Sequence, residues 1–169
     1  AQLRDRLYAL QQTVERQRAV VTAGAQDCGV FGYFSKGRFV EIEVLFYRAG
    51  KLMGGRAYSF AESEMPLDEL LSSFVLQYYA TNPAIPSEVL VPLEMEEADT
   101  LADILGEERG TRVSVHWPQR GEKVALVDLA MRNAKSSFEE KQLAEAANRD
   151  LLEHLQRALA RRGTSVFVD

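Results

Sequence analysis

Residues 28–60 read CGVFGYFSKGRFVEIEVLFYRAGKLMGGRAYSF, and this stretch decides the fold class of the chain. Three runs rich in apolar residues are separated by two short turns that contain glycine. Glycine-containing turns of this length between alternating runs are typical of β-hairpins. The stretch therefore predicts an antiparallel meander of three strands over 28–34, 39–47 and 52–60. In the middle strand, Glu41 and Glu43 point to one face and four apolar side chains share the other: Val40, Ile42, Val44 and Phe46.

Beyond residue 60 the hydrophobic period changes from that of strands to that of helices. Pro66 suits the first turn of a helix, and a broad apolar stripe follows it up to Tyr79. Tyr78 and Tyr79 in this stripe are expected to face the core rather than to stack on bases. The remaining segments are a strand over 88–93, an acidic helix over 96–105 stopped by Gly106, a strand over 113–117 and a long helical pattern from Glu122.

The predicted order of elements is therefore βββαβαβα. Three antiparallel strands followed by crossover units build an α/β protein with a mixed sheet and helices on its faces. This order matches the ribonuclease H-like fold. The fold does not by itself identify a function, which has to be argued from individual residues.

The composition excludes several classes of function. The chain has 169 residues and a net charge of −5, whereas an autonomous nucleic-acid binder usually carries a basic surplus, so any such role needs a local patch. Cys28 is the only cysteine, which excludes an internal disulfide and a zinc site of several thiolates. It lies in an apolar strand and is expected to be a small core residue. No apolar run is long enough to span a membrane, and the default location is cytoplasmic.

Carboxylates offer only a weak catalytic pattern. A nuclease of the ribonuclease H type needs three or four acids converging on two Mg²⁺ ions. The first should stand midway along the first strand, which reads CGVFGYF and contains no acid. Acids elsewhere are more simply explained as helix-dipole partners or solvated first-turn residues. An Mg²⁺-dependent nuclease remains an alternative, with Asp27, Asp68 or Glu69, Glu94 and Asp128 as its candidate ligands.

A basic turn before the long helix is the candidate binding site. Arg120 and Lys123 flank Gly121 between the end of a predicted strand and the start of a helix. In an α/β sheet such a place favours anions, because free N–H groups and the helix dipole point at it. The same residues also suit a plain loop in which Gly121 permits the turn and both bases are solvated. Arg132, further along the same pattern, is a further candidate contact.

The two ends of the chain show helical patterns of their own. Residues 1–20 repeat apolar side chains at helical spacing, and so do residues 151–159. After the second pattern, Arg161, Arg162 and Gly163 are expected to end the helix, and residues 166–168 are expected to begin a strand. A helix running from 122 to 160 would exceed ordinary globular lengths, so we expect a break near 142–150. The predicted parts are a helical motif over 1–21, a ribonuclease H-like domain over 26–142 and a helical linker over 143–169.

Four segments carry a resemblance to a known family. They read AQLRDRLYAL (1–10), FYRAGKLMGGRAYSF (46–60), LLSSFVLQYYATNPAIPSEVLVP (70–92) and PQRGEKVALVDLAMRNA (118–134). In this order they resemble parts of the UvrC family, the incising component of the excinuclease ABC that performs bacterial nucleotide excision repair. Those parts are the closing half of its UVR motif, the middle region's hairpin, the stretch with Gln-Tyr-Tyr and Ile-Pro, and the signature that begins Pro-x-Arg-Gly.

The resemblance implies a non-catalytic middle segment of that excinuclease component. The family's GIY-YIG nuclease would precede residue 1 and its catalytic ribonuclease H-like domain would follow residue 169, so Mg²⁺ would serve those domains and no cofactor is expected here. A degenerate copy of the fold could position both nucleases and contact damaged double-stranded DNA or the UvrB component. A pure protein-interaction domain is the other alternative. The resemblance to the UVR motif places the contact with UvrB on the first helix, at Leu3, Arg4, Asp5 and Leu7.

Overall fold

The computed structural model describes residues 26–165, which form five strands and three helices. Among these residues, those up to Lys135 and those from Ser136 onward form two separate compact units. The predicted contacts of the first helix with UvrB and the predicted strand at 166–168 lie outside the described residues. In chain order the elements are β1 (Cys28–Lys36), β2 (Phe39–Arg48), β3 (Lys51–Phe60), α1 (Leu67–Thr81), β4 (Glu88–Leu90), α2 (Ala98–Arg109), β5 (Ser114–His116) and α3 (Glu122–Ser165).

The strands form one sheet in the order β3-β2-β1-β4-β5. The pairs β1–β2 and β2–β3 are antiparallel, as the hairpin turns predict. The pairs β1–β4 and β4–β5 are parallel, because a helical crossover separates the strands along the chain. The predicted α/β class, with a mixed sheet and the order βββαβαβα, is confirmed.

Helices α1 and α2 cover one face of the sheet. Side chains of alternate strand residues, such as Phe31 and Ile42, pack against Leu71 and Leu101 of the helices. The ring of Phe31 meets the ring of Tyr79 edge to face, with 6.0 Å between the centroids. The expectation that the tyrosine pair faces the core is therefore confirmed for Tyr79, which is buried, and for Tyr78, which is half-buried.

The opposite face is covered by the first part of α3. Val30, Leu45 and Tyr47 from the strands form a second cluster with Leu126 and Leu129 of this helix. Cys28 belongs to the same cluster, which confirms its expected place in the core. The sheet is thus the middle of three layers, and both of its faces are apolar over β1.

Three helix predictions need correction. Gly106 does not stop the acidic helix, which continues to Arg109 and ends at Gly110, where φ is +83°. No break occurs near 142–150, because α3 is continuous from Glu122 to Ser165. The sequence offers no interruption, since neither proline nor glycine occurs between residues 122 and 162. Arg161, Arg162 and Gly163 likewise do not end the helix, which passes through them.

The strand β2 contains the main departure from the expected burial. Its alternating acids Glu41 and Glu43 are 1% and 7% exposed, as buried as the apolar side chains opposite them. Glu41 accepts a hydrogen bond of 2.6 Å from the hydroxyl of Ser59 on β3. Alternation therefore predicted the two faces correctly, but it did not distinguish a solvated acid from a buried one.

No helix among the described residues is long and apolar enough to cross a membrane.

Candidate nucleic-acid interface

The basic turn has the backbone that only glycine adopts without strain. At Gly121 φ is +81°, and α3 begins at the next residue. The amide of Val124 donates a hydrogen bond of 3.3 Å to the Gly121 carbonyl, which closes the first turn. No atom lies within 4 Å of the place that a Cβ at Gly121 would occupy. Glycine is therefore needed at 121 for its φ angle, and the space beside it is open.

Lys123 is held by an ion pair. Its ammonium lies 2.6 Å from a carboxylate oxygen of Glu88, the first residue of β4. This contact ties the first turn of α3 to the sheet and partly neutralises the lysine. Half of the Lys123 side chain remains exposed, so an anion can still approach the ammonium from the solvent side.

Arg120 and Arg132 are both exposed, but the structure does not bring them together. Arg120 lies in the turn, whereas Arg132 lies ten residues into α3, about 15 Å along the helix axis from its start. Asp128, also exposed, stands four residues before Arg132 and can offset its charge. The turn thus gathers Arg120, Gly121 and Lys123, and Arg132 is a separate surface charge.

The position of the turn relative to the sheet differs from the expectation. Near the start of α3, Lys123 contacts the first residue of β4. Eight residues further along the helix, the sulfur of Met131 accepts a hydrogen bond of 3.2 Å from the amide of Tyr33, which lies past the middle of β1. Helix α3 therefore runs in the same direction as β1. Its amino end lies at the amino ends of the parallel strands, not at their carboxyl ends. The loop from Trp117 to Gly121 carries the chain back along the sheet to reach this position.

The middle of β1 is closed by α3. A Cβ placed on Gly32 would come within 3.0 Å of main-chain atoms of Ala130 and Met131. Gly32 lies midway along β1, where a ribonuclease H-type site is expected to hold its first carboxylate, and α3 leaves no room for a side chain there. Within residues 26–165, no three histidine, cysteine or acidic side chains come close enough to share a metal ion. The proposed Mg²⁺ ligands on this part of the chain are therefore not brought together.

Two of those candidate acids have structural roles. Asp27 accepts a hydrogen bond of 3.3 Å from the amide of Ala49, which joins the start of β1 to the β2–β3 turn. Asp68 stands in the first turn of α1, where a negative charge favours the helix dipole. Cys28 is equally unsuited to catalysis, because burial and the nearby charge of Glu88 raise the pKa of its thiol from 9.0 to about 12.

Sequence reasoning missed one feature at the amino end of β1, a cavity of about 300 Å³. Its lining residues come from β1, β2, β3, α1 and the loop after α1. A periodicity argument treats each element alone, so it cannot find a site that exists only where five segments meet. The one available signal was the Gly54-Gly55 pair inside a strand, since glycine in a strand often marks close approach or open space.

Comparisons with known proteins agree with this architecture. A family model described as the UvrC ribonuclease H-like domain matches residues 27–141. The UvrABC system protein C of Anaeromyxobacter sp. (strain Fw109-5) is 44% identical over 159 residues, which are 94% of this chain and 22% of that protein. The UvrABC system protein C of Syntrophotalea carbinolica is 43% identical over 94% of this chain and 26% of that protein. The chain thus spans about a quarter of the length of these curated relatives.

Solved structures that align with most of the chain have low sequence identity to it. A chain of the PCNA:RNase HII complex from Archaeoglobus fulgidus aligns with 76% of this chain and 87% of its own length, with a TM-score of 0.49 and 14% identity.

Proposed function

Because the chain belongs to the UvrC ribonuclease H-like domain family, we propose that it is a non-catalytic segment of an excision-repair protein that positions nuclease domains and contacts DNA. The observation that carries the proposal is the contact between Gly32 and the main chain of Ala130 and Met131. A nuclease of this fold is expected to carry a carboxylate midway along β1, whereas here that position is a glycine covered by α3, and this supports a non-catalytic role.

The basic turn supports a weak contact with duplex DNA. Arg120 is exposed, and the first amides of α3 carry the positive end of the helix dipole. Lys123 adds a charge that Glu88 only partly offsets. Phosphate contacts of this kind position a protein on DNA without reading its sequence.

The DNA contact is tested by fluorescence anisotropy of a labelled duplex titrated with the chain. The double variant Arg120→Glu/Lys123→Glu is expected to weaken binding at least tenfold at low salt, because each reversal replaces an attraction to phosphate by a repulsion. Lys36→Glu/Arg38→Glu is the matched control. It makes the same change in net charge in the β1–β2 turn, at the far end of β1. Equal weakening by both variants would show that only net charge matters and would refute a contact at the turn.

A test for nuclease activity belongs with the same proposal. Nicking of supercoiled plasmid in millimolar Mg²⁺ is expected to be absent. The alternative, a nuclease that uses Asp27, Asp68 or Glu69, Glu94 and Asp128, would require nicking that Asp27→Asn abolishes. Nicking that disappears in this variant would overturn the non-catalytic role.

Protein interaction is the second candidate function, and the second compact unit favours it. Five leucines of α3 in this unit are 51–68% exposed: Leu143, Leu151, Leu152, Leu155 and Leu159. Exposed large apolar side chains at helical spacing are typical of surfaces that other proteins cover. We propose UvrB of the same repair system as the partner, on a surface additional to the first helix, where the resemblance places its contact. Leu152→Ser/Leu155→Ser should then reduce co-elution of purified UvrB with the chain in size-exclusion chromatography, whereas Gln142→Ser/Gln156→Ser should leave it unchanged.

A further inference from the structure

The cavity at the amino end of β1 has a floor made by three strands. Gly29 of β1 and Gly54 of β3 both pair with Phe46 of β2, one on each side. The cavity therefore lies on the sheet face that carries α1, above the Phe46 side chain and between two positions without side chains. Tyr78 and Tyr79 form its wall at the end of α1.

The cavity owes its volume to the glycine on the edge strand. No atom lies within 4 Å of the place that a Cβ on Gly54 would take, and the φ angle there is not in the left-handed region. A Cβ at position 54 would thus meet no other atom, and because Gly54 lines the cavity we expect a longer side chain there to reduce the free space. The neighbouring Met53 is 59% exposed and lines the entrance. A substitution that places a longer side chain at position 54 is therefore a suitable test of the cavity.

Charge at the entrance is positive. Arg56 lines the cavity, and its guanidinium carbon lies 5.1 Å from the centre of the Tyr58 ring. Arg48 and Lys51, both exposed, face each other across the β2–β3 turn that leads into this edge. Among the residues that line the cavity, none is acidic. The cavity itself thus contains one cation, Arg56, while Arg48 and Lys51 lie in the neighbouring β2–β3 turn, where the Asp27 carboxylate binds the amide of Ala49.

We propose that this cavity accepts one unpaired base of single-stranded DNA, with Arg56 on the adjoining phosphate. Single-strand binding sites combine a basic rim with aromatic side chains, because every base has a π-face and every phosphate a charge. The half-buried Phe46 provides the aromatic surface here, and a cavity of about 300 Å³ has room for one base. A base that is stacked and paired inside a duplex cannot enter a cavity, so the site takes a base that is already unstacked.

This site does not depend on the basic turn. The two sites are nevertheless close to each other. Gly29 of the cavity follows Cys28 in β1, Cys28 pairs with Glu88 of β4, and Glu88 forms the ion pair with Lys123 of the turn. The cavity opens on the α1 side of the sheet, whereas the turn belongs to α3 on the other side. The turn and the cavity both lie at the amino end of β1. A DNA strand that separates from a duplex bound at the turn therefore has only a short distance to the cavity.

The test uses a twelve-residue thymidine oligonucleotide with fluorescein at one end, and a second copy with a single central 2-aminopurine. Binding of the chain is followed by anisotropy of the first probe and by the emission of the second, which changes when the base stacks on an aromatic ring. Gly54→Leu is expected to weaken binding at least fivefold and to remove the change in emission. Ser73→Leu, which places a leucine on an exposed position of α1, is the control and should behave like the parent.

Arg56→Gln tests the phosphate contact without any added bulk, and it keeps the proposal testable if Gly54→Leu fails to fold. It should weaken binding a few-fold and make the remaining binding less sensitive to salt. A parent chain that does not bind the oligonucleotide, or a folded Gly54→Leu that binds it unchanged, overturns the proposal. If Arg120→Glu/Lys123→Glu abolishes duplex binding while Gly54→Leu has no effect on either probe, the contact at the turn stands and the base site is wrong.

Discussion

Gly32 is the residue at which α3 approaches the sheet closely enough to exclude a side chain from β1. Its missing side chain lets the main chain of α3 lie directly on β1, where Ala130 and Met131 occupy the space of a side chain. We predict that Gly32→Ala lowers the free energy of unfolding by about 1–3 kcal/mol, because rigid backbone atoms cannot yield to the added methyl. Urea titration measures the change. Gly54→Ala, which meets open space, should stay within about 0.5 kcal/mol of the parent.

Cys28 and Tyr47 make stability depend on pH at the residue scale. Burial raises the pKa of Cys28 from 9.0 and the pKa of Tyr47 from 10.0, in each case to about 12. Both groups stay neutral in the folded chain, whereas the unfolded chain releases their protons from about pH 9 upward. The folded-state pKa values are the higher ones, so the free energy of unfolding is unaffected below pH 9 and falls as the pH rises towards 12.

Urea titrations at pH 8 and pH 10.5 measure this loss of stability. Cys28→Ala/Tyr47→Phe should show a smaller loss between the two pH values than the parent. The phenol oxygen of Tyr47 has no hydrogen-bond partner among the described residues, so Tyr47→Phe alone should cost little or no stability at pH 7. A double variant with the full loss would place the pH dependence on other groups.

At the scale of elements, α3 shows how far a helix extends when nothing in the sequence stops it. The helix has 44 residues, and its second half exposes leucines. We predict that Ala147→Pro reduces the circular dichroism signal at 222 nm, because proline removes a hydrogen bond and costs about 3 kcal/mol in a helix interior. Ala147→Ser should keep the signal. An unchanged signal in the proline variant would mean that the helix is already interrupted in this region.

At the scale of the whole molecule, a net charge of −5 limits what the local basic surfaces can do. The turn offers two cations, Arg120 and Lys123, so about two counterions are released on binding a duplex. A plot of the logarithm of the binding constant against the logarithm of the salt concentration should then have a slope of about −2. The binding constant should therefore fall roughly tenfold between 50 and 200 mM salt. Anisotropy at four salt concentrations measures it. A slope beyond about −5 would require a larger surface than the turn.

The sequence by itself determined the order of elements, the antiparallel meander and the parallel crossovers, because alternation, helical period and turn residues act over a few neighbours. It also determined that Cys28 belongs to the core and that Tyr79 faces it. Helix ends were less predictable. Gly106 is tolerated inside a helix, and α3 runs past the expected break because no residue there forbids a further turn.

Only the tertiary structure decided what the candidate residues can do. It placed Lys123 on Glu88, moved the basic turn to the amino ends of the strands, and set α3 against Gly32. It also buried Glu41 and Glu43 and formed the cavity beside Gly54 from five segments of the chain. The physical reason is the range of the interactions. Local periodicity records which face of an element is apolar, but burial, ion pairs and empty space depend on elements that lie far apart in sequence.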